Sequence, residues 1–311
     1  MKHKMKNDQN ITVSIGLPVF NGERFIERKI TSLLEQSFSN FELIISDNNS
    51  TDQTSRICQD FVKKDKRIRY FRQEQNIGGW KNFGFVLDKA QNDYFLWTAV
   101  DDTILPQFIE KSLEILIEND KVSCVSTKMI LFGGKNDEIK INKNDFILKK
   151  IFKKKFLEFI YMNNFSAKGN YNERTTEYIK KIRHNQIFYG VFRTEQIKKC
   201  FVRNEAIWSD ACTIFNILKF GEIFVIDEIL MKVFDGGQSR SGLLEVTKQN
   251  HYNFIKTVFP MSPFTKWCIQ NLKFKIFLRH FDFFIKINLI GELSLVLDII
   301  RKIIGFLDKK K

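Results

Sequence analysis

Proline is scarce in this chain, 4 residues in 311, and glycine is modest at 15. That excludes collagen-like and low-complexity proteins. Cysteine occurs five times, an odd number, with no CxxC pair and no histidine at metal-site spacing. A disulfide framework and a structural zinc site are therefore not expected, and the apolar neighbours predict buried free thiols in a reducing compartment. No run of 18 apolar residues exists. The best stretch, 283–306, is interrupted by Lys286, Glu292, Asp298 and Arg301, which predicts no spanning helix. Residues 1–10 are polar and predict no secretory leader. No GxGxxG follows the first strand-like run and no GxxxxGK[ST] occurs anywhere. A dinucleotide fingerprint and a P-loop are thereby set aside.

What is present is an excess of positive charge and of phenylalanine. Lys+Arg number 50 against 36 Asp+Glu, a net of +14, and there are 32 Phe. The charge is uneven. Residues 1–134 and 186–240 are each neutral, while 135–185 and 241–311 each carry +7. These two basic segments hold 14 of the 32 Phe. Lys149, Lys150 and Lys153 to Lys155 flank Ile151, Phe152, Phe156 and Phe159, and Phe274, Phe277, Phe281 and Phe284 recur among Lys273, Lys275, Arg279 and Lys286. Helices of this kind suit an anionic membrane surface, or pack on the domain with solvated lysine faces. Nucleic acid ranks low, because no recognition motif accompanies the charge.

The first 130 residues read as alternating strands and helices. Short β-branched runs at 11–17, 42–46, 67–71, 94–98 and 122–126 predict strands. Helical spacing predicts helices near 25–34, 52–64, 79–91 and 106–119. A helix over 211–219 and a strand over 230–234 follow. Repeated βα units imply a mostly parallel sheet covered on both faces, with ligands at the carboxyl ends of its strands. Those ends carry Pro18, Val19, Phe20, Asn21 and Gly22, then a polar run from Asp47 to Asp52, then Asp101 and Asp102. Adjacent carboxylates repel and need a cation or hydrogen-bond donors, and all-oxygen ligation suits Mg²⁺ or Mn²⁺. The same residues could instead be a turn and a helix N-terminus.

Taken together, Ile15-Gly-Leu-Pro-Val-Phe-Asn-Gly22, Glu42-Leu-Ile-Ile-Ser-Asp-Asn-Asn-Ser-Thr-Asp52, Asn76-Ile-Gly78 and Ala99-Val-Asp-Asp102 resemble the inverting family 2 glycosyltransferases with the GT-A fold. The match is strong over 12–125 and weaker through Tyr189 to Arg193, Trp208 to Asp210 and Gly236-Gly237. It does not reach 135–185 or the chain after about 245. The resemblance implies a Rossmann-like, mostly parallel α/β sheet with a helical C-terminal extension. It implies a nucleotide-sugar pocket formed by Pro18, Phe20, Asn21, Glu23, Asp47, Asn76, Lys81 and Asp101, with Phe20 on the base and Asp47 accepting the N3–H of uracil. Where the family often carries an arginine nearby, this chain has Lys81. Asp102 would hold Mn²⁺ or Mg²⁺ on the diphosphate. Asp210 would be the catalytic base, although Ser209 stands where the family often has Glu. Trp208 and Arg240 are candidate acceptor or diphosphate contacts, and the turn containing Arg240 reads first as a plain turn after the strand over 230–234.

The expected organisation is a polar tail (1–10), a nucleotide-sugar half (11–134), a basic insertion (135–185), an acceptor half (186–245) and a basic amphipathic extension (246–311). The expected reaction moves a sugar from a nucleotide donor, UDP by the Asp47 assignment, to a hydroxyl of a cell-envelope glycan or lipid-linked acceptor, on the inner face of the cytoplasmic membrane. The alternatives are a nucleotidyltransferase on a similar sheet and a non-catalytic membrane-binding module.

Overall fold

A computed structural model of the chain describes residues 11–133, 164–182, 185–204, 206–234, 243–249 and 252–308. Most of the basic insertion, the turn carrying Gly236, Gly237 and Arg240, and the N-terminal tail lie outside these residues. The described chain forms eight strands in one sheet. They are β1 (Val13–Val19), β2 (Phe41–Asp47), β3 (Ile68–Arg72), β4 (Tyr94–Trp97), β5 (Thr103–Ile104), β6 (Val122–Phe132), β7 (Val191–Arg193) and β8 (Glu222–Phe234). Their order across the sheet is β3-β2-β1-β4-β7-β6-β8-β5. β3, β2, β1 and β4 are mutually parallel, and β7 and β5 run antiparallel to their neighbours.

Strand alternation sends side chains to two separate cores. Val13, Ile15, Leu17, Leu43, Ile45 and Leu96 pack on one face under α1 (Ile26–Leu34), α2 (Thr54–Lys64) and α4 (Phe108–Glu118). Ile44, Phe95 and Trp97 pack on the other, under α3 (Gly79–Lys89), α5 (Tyr171–Lys181), α6 (Thr194–Cys200) and α7 (Ser209–Phe220). Gly16 lets α3 approach β1 closely: a Cβ there would meet Val86 Cγ2 at 2.7 Å and Phe95 Cζ at 2.8 Å. All five cysteines are buried and unpaired.

Two expectations need adjusting. β1 runs through Pro18 instead of ending before it. β4 pairs with β1 only as far as Gly16, so the missing N–H of Pro18 costs no ladder bond. The strand foreseen at 230–234 is the end of a 13-residue strand, and short β5 and β7 gave no run long enough to read. The C-terminal segment packs on the domain, one of the two arrangements expected for it. α8 (Leu243–Gln249), α9 (Phe254–Val258), α10 (Ser262–Asn271), α11 (Phe274–Arg279) and α12 (Phe281–Asp308) follow. Phe264, Cys268, Ile276, Phe277 and Phe284 from this region are buried in the same core as α7.

Candidate active site

The chain winds from β1 outward to β3 and then returns to β4 on the opposite side of β1. That reversal splays apart the loops after β1 and β4 and opens a crevice at the carboxyl ends of the strands. A cavity of about 1140 Å³ fills it. Pro18 lines it from the end of β1, Phe20 and Asn21 from the loop after it, Asn76 from the loop before α3, Lys81 from the first turn of α3, and Asp101 and Asp102 from the turn after β4.

The loop after β1 is fastened to the loop after β2. Asn21, at φ 49°, donates its N–H to Ser50 Oγ and accepts from Thr51 N. Glu23 accepts from Gln53 N, and its own N–H donates to Asp52. Glu23 therefore serves as a clasp at the rim and does not line the cavity. Asp47 is fully buried; its two carboxylate oxygens accept from Ser50 N (2.8 Å) and Tyr70 Oη (2.7 Å), and it too is absent from the lining. Asn48, the next residue, is the one that reaches the wall. Its Oδ1 accepts from Ile77 N (2.8 Å) and its Nδ2 donates to Asn76 Oδ1 (2.9 Å), which ties the 75–79 loop to β2. Phe20 is 40% exposed with its ring free at the cavity, which suits stacking on a base.

The acidic turn rests on α1. Lys29 is buried on the apolar face of that helix and donates from Nζ to the backbone oxygen of Asp102 at 2.9 Å, while Gln36 donates to Ile104 O and Leu105 O. Asp102 Oδ1 accepts from Phe234 N at 2.9 Å. Burial pushes the Asp102 carboxyl up and the Lys29 ammonium down, and each charge partly offsets the penalty of the other.

Asp210 lies in the first turn of α7, whose N-cap is Trp208, not Asp210. Trp208 has φ 66°, a left-handed conformation that is unfavourable for a bulky residue, and its ring packs edge-on against Phe264. It is a structural wedge at the entry to the helix. Asp210 Oδ1 accepts from Ala211 N at 2.8 Å. Burial raises its carboxyl above the ordinary aspartate range, and the Ala211 N–H and the Asn185 side chain pull it partly back. Tyr189 connects the two acidic groups. It lines the cavity, and its hydroxyl is pushed up by burial first, then by the charges of Asp102, Asp210 and Asp101. Asp210 itself is absent from the cavity lining.

Sequence reasoning missed Lys29, Asn48, Asn185 and Tyr189 as members of this region. Lys29 left a signal, a lysine at a position where Ile26, Ile30 and Leu33 define a buried stripe. Arg240 lies outside the described residues.

A sheet that reverses at β1 and β4, with an acidic turn beneath a large cleft, is the GT-A arrangement. The comparisons agree. The family model described as Glycosyl transferase family 2 matches residues 14–168. A glycosyltransferase of Haemophilus influenzae without assigned activity is 37% identical over 110 residues, covering 35% of this chain and 44% of that protein. The Campylobacter jejuni GalNAc(5)-diNAcBac-PP-undecaprenol beta-1,3-glucosyltransferase is 29% identical over 213 residues, covering 60% of this chain and 66% of that protein. The S. aureus TarS structure in complex with UDP-GlcNAc superposes with a TM-score of 0.55 at 17% identity, over 85% of this chain and 77% of that one. Mannosyltransferase PcManGT from Pyrobaculum calidifontis, in complex with GDP-Man and Mn²⁺, gives 0.56 at 13% identity, over 93% of this chain and 73% of that one. The chain belongs to glycosyl transferase family 2. It spans under half the length of the first of these curated relatives and about two thirds of the second.

Proposed function

We propose that this chain transfers a sugar from a nucleotide-sugar donor to a hydroxyl acceptor with inversion at the anomeric carbon. The observation that carries the reading is the placing of Asp101 and Asp102 in a large cleft at the switch point of a doubly wound sheet, with Asp210 in the first turn of α7. Phe20 offers its face to the base, and Asn76 and Lys81 line the nucleotide side. Asn48, in place of buried Asp47, is the side chain closest to a base-reading role, and UDP is the nucleotide we favour. The TarS complex with UDP-GlcNAc supports a uridine donor on this fold.

The donor set fits a divalent ion. Asp102 keeps Oδ2 free of hydrogen bonds among the described residues, and Asp101 adjoins it. No group of three or more metal-ligating side chains occurs among the described residues, so Mn²⁺ or Mg²⁺ held by Asp102 would complete its shell with donor phosphates and water. Bound there, the ion would neutralise the leaving diphosphate. Asp210 would take the proton of the acceptor hydroxyl as it attacks. Its raised pKa makes it a stronger base than an ordinary carboxylate.

The acceptor we favour is a lipid-linked or cell-envelope glycan, a reading supported by the undecaprenol-linked substrate in the name of the Campylobacter relative. The C-terminal helices fit a membrane-facing role. Ile285, Leu289, Leu293, Val296, Ile300 and Ile303 repeat every three or four residues along α12 and are 45–60% exposed. Lys286, Arg301 and Lys302 accompany them, and no helix among the described residues is long and apolar enough to cross a membrane. Such a helix lies in the headgroup plane. Replacing both Leu289 and Leu293 with Glu should abolish flotation with anionic liposomes, and retained flotation would remove the membrane from this account. The donor assignment is tested by a thermal-shift panel of nucleotide sugars with and without Mn²⁺. The expected result is a metal-dependent rise in Tm with one uridine donor; no response across the panel would refute it.

A further inference from the structure

α1 breaks its own pattern at one position. Ile26, Ile30 and Leu33 form its buried stripe, and Lys29 stands among them with 1% exposure. Burying an ammonium is costly, and an apolar side chain of similar size would fill the same space at less cost. A local rule broken in this way points to a site that the residue serves. Lys29 Nζ donates to the main-chain oxygen of Asp102 at 2.9 Å, and Lys29 itself does not line the cavity. Asp102 is thereby held from three directions. Its main-chain oxygen takes the Lys29 bond, and its Oδ1 takes the N–H of Phe234 at 2.9 Å. The next two residues, Thr103 and Ile104, are paired in β5 with Lys232 and Met231 of β8. Oδ2 is the atom left over, on a residue that lines the cavity. Gln36, just past the end of α1, reaches Ile104 O and Leu105 O instead, beyond the acidic pair.

We propose that Lys29 is a positioning residue for Asp102: its amine fixes the Asp102 peptide from the buried face of α1, so that Oδ2 is presented to the cavity before an ion or a donor arrives. This rests on the reading of Asp102 as the ligand for Mn²⁺ or Mg²⁺. A group that orients a metal ligand without touching the metal still sets the affinity, and its loss costs about 10- to 100-fold. Two features assign that role to Lys29 and not to Gln36. The Lys29 bond falls on Asp102 itself, and it holds the peptide while Phe234 N holds the carboxylate. The Gln36 bonds fall on a stretch that β8 already fixes.

The test reads metal binding, not turnover. Mn²⁺ is titrated into the full chain at saturating UDP, and the free ion is measured from its EPR spectrum. Lys29→Met keeps much of the side chain's length and deletes the donor. Mn²⁺ affinity should fall about 10-fold or more, and Lys29→Leu should repeat the result. Both variants put a strong helix former into an apolar stripe, so the fold is kept. The sign of the change is diagnostic. Deleting a nearby cation favours a divalent ion by itself, so a loss of affinity reports a displaced Asp102. Gln36→Met loosens the neighbouring stretch without touching Asp102, and its Mn²⁺ affinity should stay that of the unaltered chain. Unchanged or tighter Mn²⁺ binding in both Lys29 variants would overturn the proposal. So would an equal loss in Gln36→Met, which would mark a general loosening of the turn. Asp102→Ala separates the two ideas. If it loses Mn²⁺ while Lys29→Met keeps it, the metal site stands and the positioning role fails. If Asp102→Ala keeps Mn²⁺, the metal reading fails and the positioning role falls with it.

Discussion

The loop that walls the cavity hangs on one side chain, and its removal makes a quantitative prediction. Asn48 is 2% exposed and makes two hydrogen bonds to the 75–79 loop, from Ile77 N at 2.8 Å and to Asn76 Oδ1 at 2.9 Å. Asn48→Ala deletes both. Each is worth about 1 kcal/mol net, and a stranded donor adds up to about 1 kcal/mol more. Asn76 Oδ1 keeps a second donor in Gly78 N, and Ile77 is half-buried, so the stranded-group penalty falls mostly on one atom. The expected loss is about 2–3 kcal/mol, or a fall of about 5 °C in Tm for a chain of this size. The functional part of the prediction is a disproportionate loss of nucleotide affinity. An untied loop spends time open, and the apparent Kd rises by the inverse of the fraction closed. The control is Asn92→Ala, at the opposite end of the sheet, where Nδ2 donates to Val13 O. It should cost about 1 kcal/mol in urea unfolding and leave UDP affinity by calorimetry unchanged. If Asn48→Ala weakens UDP no more than Asn92→Ala does, the 75–79 loop is not part of a nucleotide site.

Other outcomes follow from the same geometry. Phe20→Ala should weaken UDP about 5- to 150-fold, the range for one base stacked on one ring, with little change in urea stability because the ring is already 40% exposed. Asp102→Ala should remove the dependence of nucleotide binding on Mn²⁺, measured by titration calorimetry at fixed UDP. The turnover number should fall as pH drops through the Asp210 midpoint, because only the ionised carboxylate accepts a proton. That acid limb should lie above the ordinary aspartate value of about 3.9. All five thiols should be unreactive to Ellman's reagent in the native chain and react together on unfolding, since each is buried and held protonated by its apolar surroundings.

Much of the fold was legible because its strands are dense in β-branched residues and its helices carry clear apolar stripes. β1, β2, β3 and β4 emerged within two residues of their observed ends, and so did the crevice between the loops after β1 and β4. β5 and β7 were illegible at two and three residues, where periodicity has nothing to count. The chain after 250 was legible as basic amphipathic helices, but not whether they lie on a membrane or pack on the domain. Phe274, Phe277, Phe281 and Phe284 share one helical spacing, but helix breaks at Leu272 and His280 send Phe277 and Phe284 into the core with Phe264, while Phe274 and Phe281 stay exposed. At the site, a motif names residues but not which way they face. Asp47 and Glu23 are polar residues in the expected loops, yet the Ser50 N–H, the Tyr70 hydroxyl and the Gln53 N–H hold them away from the cavity lining.

The central claim is that Asp210, on α7, acts as the base toward a sugar donor held over Asp102. Sugar transfer followed by ¹H NMR of the anomeric proton, with the donor found by thermal shift and a panel of hydroxyl acceptors, tests it most directly. The account predicts a product of inverted anomeric configuration, and a loss of turnover of at least 100-fold in Asp210→Asn, at the low end of what a general base contributes, with donor affinity unchanged. A product that retains the donor configuration, or an Asp210→Asn variant as active as the unaltered chain, would contradict it.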